Sequence, residues 1–399
     1  MHLNRYCRAI PWVLFYKVWA LSSCEGFIIP KLYLPSSTAG AISKLYTSSQ
    51  NSNVDVEIDQ IQLSTGIQAE IMKSKPEDDK TPLSSLQMVF NSKPKPPLIF
   101  IHGSFHASWC WAEKFFSFFT LLGYTCYAIS LRGTGGTFAG EGVKRVKIMD
   151  HVDDLQSFIE YVINKEEGLA PVLISHSFGG LAVMKYLEKH LYDGKRGKAV
   201  ASDVDNDFMP RFLSENVSQP LSGVCLLCSV PPSGNGKMTL RFLRRSFKDS
   251  WKITAGLAIR KCITDKSLCR DLFFGGPVIS NDTVVENWGI SEEDLERYQG
   301  NFKRDTVATI NLRDLAKQLP SLNVDKQYGQ ALFVDKLPPA LVVGATDDFI
   351  VDNAGVIETA KYFGVEPVMI DSPHDVMLGK KFENAAIEIK KWLETLAEK

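Results

Sequence analysis

Pro171-Val172-Leu173-Ile174-Ser175-His176-Ser177-Phe178-Gly179-Gly180 decides how the rest of the chain is read. Four apolar residues form a buried strand that turns sharply into a helix, with Ser177 at the apex. Such a turn brings backbones close together, so the residues two before and two after the serine must be small if its hydroxyl is to stand clear. Ser175 and Gly179 meet that requirement, and the layout is that of a nucleophile elbow. The common motif has glycine at the first position; Ser175 departs from it by one hydroxymethyl group.

Other strand ends carry matching chemistry in the order Ser, Asp, His. Upstream, Leu98-Ile99-Phe100-Ile101 runs into His102-Gly103-Ser104, the place for a second oxyanion-binding amide. Downstream, Ala340-Leu341-Val342-Val343-Gly344-Ala345 runs into Thr346-Asp347-Asp348, and Pro367-Val368-Met369-Ile370 runs into Asp371-Ser372-Pro373-His374. Ser177 is a poor nucleophile while protonated and needs a base in reach. His374 suits that role, with an ordinary pKa of about 6.5. A carboxylate must then hold the imidazole tautomer. Asp348 and Asp347 compete for that role, and Asp348 opens the stretch Asp348-Phe349-Ile350-Val351. The backbone amides of Phe178 and Ser104 would bind the oxyanion, at about 3 kcal/mol per donor.

These residues resemble the α/β-hydrolase superfamily over roughly residues 55–397, and the resemblance prefers Asp348 to Asp347, because Asp348-Phe349-Ile350-Val351 matches that family's Asp-x-Ile-Val spacing. The resemblance implies an α/β fold: a mostly parallel central sheet, helices on both faces and an inserted helical cap. Two stretches, His102-Gly103-Ser104-Phe105-His106-Ala107-Ser108-Trp109-Cys110-Trp111 and Pro373-His374-Asp375-Val376-Met377-Leu378, look like the plant methylesterase and hydroxynitrile-lyase branch. The lyases of that branch have threonine after the first histidine and lysine after the catalytic one. Gly103 and Asp375 stand there instead. Leu131-Arg132-Gly133-Thr134-Gly135-Gly136 looks like the Arg-Gly-x-Gly turn of general hydrolases. The resemblance implies a cofactor-independent serine esterase acting on a small-molecule ester, hydrophobic or lipid-like. A methylesterase on small signalling esters, or a ligand-binding protein on the same fold, is the alternative.

Composition is consistent with this reading. The 399 residues are 45% hydrophobic, enough for a sizeable core, and the formal net charge of −1 supplies no field to recruit nucleic acid. Residues 1–53 hold Arg5, Arg8, Lys17, Lys31 and Lys44 against one acid, Glu25, the bias of a transit segment. Chloroplast import is expected, or a cytoplasmic location otherwise. Residues 54–230 and 336–399 form the expected core, and 231–335 the cap. Asp193–Gln219 reads as a surface insertion. Cys225 and Cys228 make a Cys-x-x-Cys without a second pair or a histidine at ligand spacing, so no metal site is read there or among the histidines.

His102 reads as support for the oxyanion loop and His176 as an interior residue. Phe105, His106 and Trp109 are candidate pocket residues. In the cap, Arg241, Arg244, Arg245 and Lys248 fall at helical spacing beside Leu240, Leu243, Phe247 and Trp251. They form either a solvated face or a peripheral membrane contact.

Overall fold

The computed structural model describes residues 54–76, 94–192, 221–245, 260–275, 277–280, 283–287 and 289–397. The expected transit segment, the insertion 193–219, and Phe247, Lys248 and Trp251 lie outside them.

The strands are β1 (Glu57–Gln62), β2 (Gln68–Ser74), β3 (Leu98–Ile101), β4 (Cys126–Ile129), β5 (Arg145–Val146), β6 (Val172–His176), β7 (Gly223–Leu227), β8 (Pro277–Ser280), β9 (Thr283–Asn287), β10 (Thr309–Ile310), β11 (Ala340–Ala345) and β12 (Val368–Ile370). Eight of them form one sheet in the order β1-β2-β4-β3-β6-β7-β11-β12. β2 pairs antiparallel with β1 and β4, and the pairs from β4 to β12 are parallel. The chain order reverses beside β3 and β6, so their C-terminal ends open onto the crevice where such sheets place their ligands.

The helices are α1 (Trp109–Ala112), α2 (Phe115–Leu121), α3 (Ile148–Lys165), α4 (Phe178–Leu191), α5 (Asn235–Arg245), α6 (Lys266–Cys269), α7 (Glu292–Arg304), α8 (Leu312–Leu315), α9 (Asn353–Phe363) and α10 (Phe382–Ala397). The central strands are apolar along their whole length because both faces are covered. Successive side chains point to opposite faces. Ile99, Leu173, Val224 and Val342 join α3, α4 and α9 in one core cluster. Phe100, facing the other way, packs against Trp111, Phe115, Phe116 and Phe119, and Phe115 reaches Phe382 of α10. Full burial of each such aromatic stabilises by about 1.5–3 kcal/mol.

Two details differ from expectation. The alternation in Val54–Ile61 predicts a half-buried strand, but of β1 only Ile61 is buried, because an edge strand has one neighbour. Among the described side chains of α5 the buried ones are Met238 and Phe242, four residues apart, while Leu240 is 48% exposed. Arg241 is not free: its guanidinium donates bidentately to Asp352 at 2.6 and 2.5 Å. The expected cationic stripe is therefore partly an internal tie between α5 and the N-cap of α9.

Candidate active site

The turn from β6 into α4 holds Ser177 at φ 51°, ψ −118°, outside the regions an L-residue ordinarily adopts. Such strain costs on the order of 1–3 kcal/mol and persists only where neighbours over-determine it. Here the Ser177 amide donates to the Leu227 carbonyl, and its own carbonyl accepts from Gly180 and Val230. The small residues have steric causes. A Cβ on Gly179 would lie 2.6 Å from the carbonyl oxygens of Ile101 and His102, and one on Gly103 would lie 2.8 Å from Ser177 Cβ. Ser175, at the departure from the common motif, donates its hydroxyl to the Cys225 carbonyl at 3.1 Å, so its extra atoms are satisfied inside the sheet.

His374, on the loop after β12, directs Nδ1 at Asp348 Oδ2 at 2.8 Å. The other Asp348 oxygen accepts from the amides of Ile350 and Val351, fixing the carboxylate in its turn. Asp347 is exposed and faces Thr346. Burial disfavours charge on His374, but the Asp348 carboxylate, with Asp375 behind it, outweighs burial and raises its pKa. The neutral imidazole is thus held in one tautomer, with the proton on Nδ1 and the lone pair on Nε2. His176, next to Ser177, packs its ring 4.7 Å from His374 and donates Nε2–H to the His374 carbonyl at 3.0 Å. This joins the elbow to the histidine loop. Ser177 Oγ makes no hydrogen bond among the described residues, as is common before a substrate tightens the site.

The Phe178 amide, first in α4, and the Ser104 amide have no partner among the described residues. His102 braces this region: Nδ1 donates to the Gly103 carbonyl at 2.7 Å, and Nε2 accepts from the amide of Leu131, whose carbonyl in turn accepts from the Thr134 hydroxyl. Burial pushes its pKa down to about 3, in keeping with a neutral strut.

Two features escaped sequence reading. His106 and Asp375 are fully buried and 3.0 Å apart, while His106 Nδ1 lies 2.8 Å from the Ser104 carbonyl. Both ring nitrogens are thus held by oxygens, one on the backbone and one on the carboxylate. The pair ties the oxyanion segment to the loop carrying His374. Cys228, at φ 45° just beyond β7, hydrogen-bonds Asp348 through its thiol; burial and that carboxylate push its pKa far up, so it is an inert support. His176, His374 and Asp375 bring ligand atoms within 4.8 Å of one another, as do Cys228, Asp348 and His374. Asp348 bonds both His374 and Cys228 in the second set, and in the first Asp375 Oδ2 bonds His106.

The candidate pocket residues sit against the segment between β7 and β11. Phe105 packs on Phe273 and Phe302, His106 stacks on Trp109 and meets Phe302 at 4.8 Å, and Trp109 meets Tyr298 at 5.3 Å. Phe273 reaches the His374 ring at 6.3 Å, and its carbonyl accepts from the Asp375 amide. Asp305, buried after α7, accepts from Trp109 Nε1 at 2.7 Å and from the Gly135 amide at 3.0 Å.

With this geometry in view, sequence comparison matches residues 98–381 to the Alpha/beta hydrolase family. The chain belongs to that family. No curated protein matches it by sequence. Among solved structures it is similar to a thermophilic esterase from Thermogutta terrifontis, with TM-score 0.51 and 14% identity over 86% of this chain and 99% of that one. It is similar to an epoxide hydrolase from Vigna radiata, with TM-score 0.51 and 16% identity over 85% and 98%. A structure from work on carboxylesterases of the thaumarchaeon Nitrososphaera gargenis gives TM-score 0.50 and 14% identity over 86% and 99%. These likenesses support the fold.

Proposed function

We propose that the chain is a serine hydrolase that cleaves carboxylic esters through an acyl-enzyme. The observation that carries this reading is the His374–Asp348 hydrogen bond beside a strained serine at the strand-to-helix turn. In the first half-reaction Ser177 Oγ attacks the carbonyl carbon, its proton passes to His374 Nε2, and the amides of Ser104 and Phe178 receive the oxyanion. Collapse expels the alcohol, which takes the proton from His374. Water then repeats the sequence on the acyl-enzyme, releasing the acid and free Ser177. The aromatic surround of Phe105, Phe273 and Phe302 favours an apolar acyl or alcohol group.

The test is labelling by a fluorophosphonate, with hydrolysis of p-nitrophenyl esters of graded chain length, in the unmodified protein, Ser177→Ala and His374→Ala. Labelling and turnover should vanish in Ser177→Ala, a drop of at least about 10⁴-fold in kcat. Absence of labelling in well-folded unmodified protein would favour a ligand-binding protein instead. A chain-length optimum at the shortest esters would favour a methylesterase.

A further inference from the structure

β5 and β10 form a two-stranded parallel ribbon away from the main sheet, with Thr309 opposite Arg145 and Ile310 opposite Val146. Exposure alternates along both strands: Arg145 and Lys147 are exposed while Val146 and Ile148 are buried, and Val307 and Thr309 are exposed while Ala308 is buried. The ribbon thus has one inward face and one outward face. Ala308 seats it against Gly133, where a Cβ would lie 2.5 Å from that of Ala308, and 3.4 Å from the Cβ of Ala139, next to Phe138.

What the ribbon and its flanks expose is unusual for a water-facing surface. Val307 is 74% exposed, Phe138 and Leu312 65% each, and Val143 38%. The same segments, 138–147 and 303–317, expose Lys144, Arg145, Lys147, Lys303, Arg313 and Lys317. None of these six is in an ion pair among the described residues, whereas Lys189, Arg297, Lys381 and Lys390 elsewhere are matched to carboxylates. Glu141 is the exposed acid of these segments. Asp305 is buried in its own network, Asp314 accepts from the Ile148 amide, and the adjoining Asp150 accepts from the Lys147 amide. Unmatched cations interleaved with protruding apolar side chains complement a surface that is anionic at its rim and apolar beneath.

We propose that this face docks on a bilayer carrying anionic lipid, the cations meeting headgroups and Phe138, Val307 and Leu312 entering the acyl boundary. Phosphate recognition alone leaves the three apolar side chains unexplained, which favours a membrane over a nucleic acid. The surface is tied to the site region through Asp305, which bonds both Trp109 and the Gly135 amide. The proposal does not depend on the reaction, and Ser177→Ala is expected to bind as the unmodified protein does.

The test is co-sedimentation of the full chain with phosphatidylcholine vesicles, with and without about 30 mol % phosphatidylglycerol. Two double variants are compared, Lys144→Glu/Arg145→Glu and Phe138→Ser/Val307→Ser, each checked by thermal melting and by hydrolysis of a soluble ester. Binding should be roughly tenfold tighter with the anionic lipid and fall roughly tenfold in the charge-reversed variant. The apolar variant should lose the binding that survives high salt. Equal binding to both vesicle types, binding to neither, or binding unchanged in both variants would overturn the proposal. So would retention of single-stranded polynucleotide without retention of vesicles.

Discussion

Asp375 occupies the position directly after the candidate base and is wholly buried, so its charge acts on His374 with little screening. Burial lowers that histidine's proton affinity, and two carboxylates, Asp348 and Asp375, raise it. Asp375→Asn removes one raising charge while its amide still supplies a hydrogen bond for His106. The base must be neutral to accept the Ser177 proton, so the acid limb of kcat/KM should move to lower pH, with KM little changed. Asp375→Ala also breaks the tie between the histidine loop and the Ser104 carbonyl, and should lose kcat as well. Rate-pH profiles of both variants check this; an unmoved limb in Asp375→Asn would show that the carboxylate does not reach the base electrostatically. Ser177, Asp348 and His374 were legible because each stands at the end of an apolar run with its own turn chemistry. The His106–Asp375 pair was not, since 269 residues separate its members and nothing in either stretch points to the other. Cys228 was hidden likewise, reading as one more apolar strand residue.

At the scale of elements, the segment between β7 and β11 is pinned to the candidate site by a few directional bonds. Asp305, just after α7, has no exposed side-chain surface and takes hydrogen bonds from Trp109, Gly135 and Arg304. Asp305→Ala strands the Trp109 and Gly135 donors, while the exposed Arg304 guanidinium can turn to water, so the loss should be about 2–4 kcal/mol. Denaturant unfolding measures this; a loss under about 1 kcal/mol would mean that ring packing alone holds α7 in place. The central strands were legible from their apolar runs, and so was the helix that opens just after Ser177. The face of α5 was not. Charges at helical spacing look alike whether they meet water or a carboxylate on another element, and Asp352, the partner of Arg241, lies 111 residues on.

Across the whole molecule, acid sensitivity should follow its buried histidines. His102, His151 and His176 are fully enclosed, and burial, the largest cause in each, pushes their pKa values to about 3, to about 4 and well below the ordinary value, respectively. Unfolding returns each to about 6.5, so below that pH the unfolded chain binds more protons and stability falls as pH falls. Each neutral histidine contributes a slope of about 1.4 kcal/mol per pH unit, and the three together about 4, between pH ~6 and ~4. His374 has the opposite sign. Its raised pKa stabilises the fold fully below its unfolded value, and that contribution is lost as pH rises through its folded value. The two trends set a stability maximum at the neutral side of the histidine range, steep on the acid flank and shallow on the basic one. Denaturant midpoints across pH 4 to 8 should trace that asymmetry. Burial also pushes the half-buried His190 down to about 4, so His151→Gln, which removes one of four such rings, should lessen the acid slope by about a quarter. A flat profile between about pH 6 and 5 would mean that these histidines take up protons in the folded state, against the burial that encloses them.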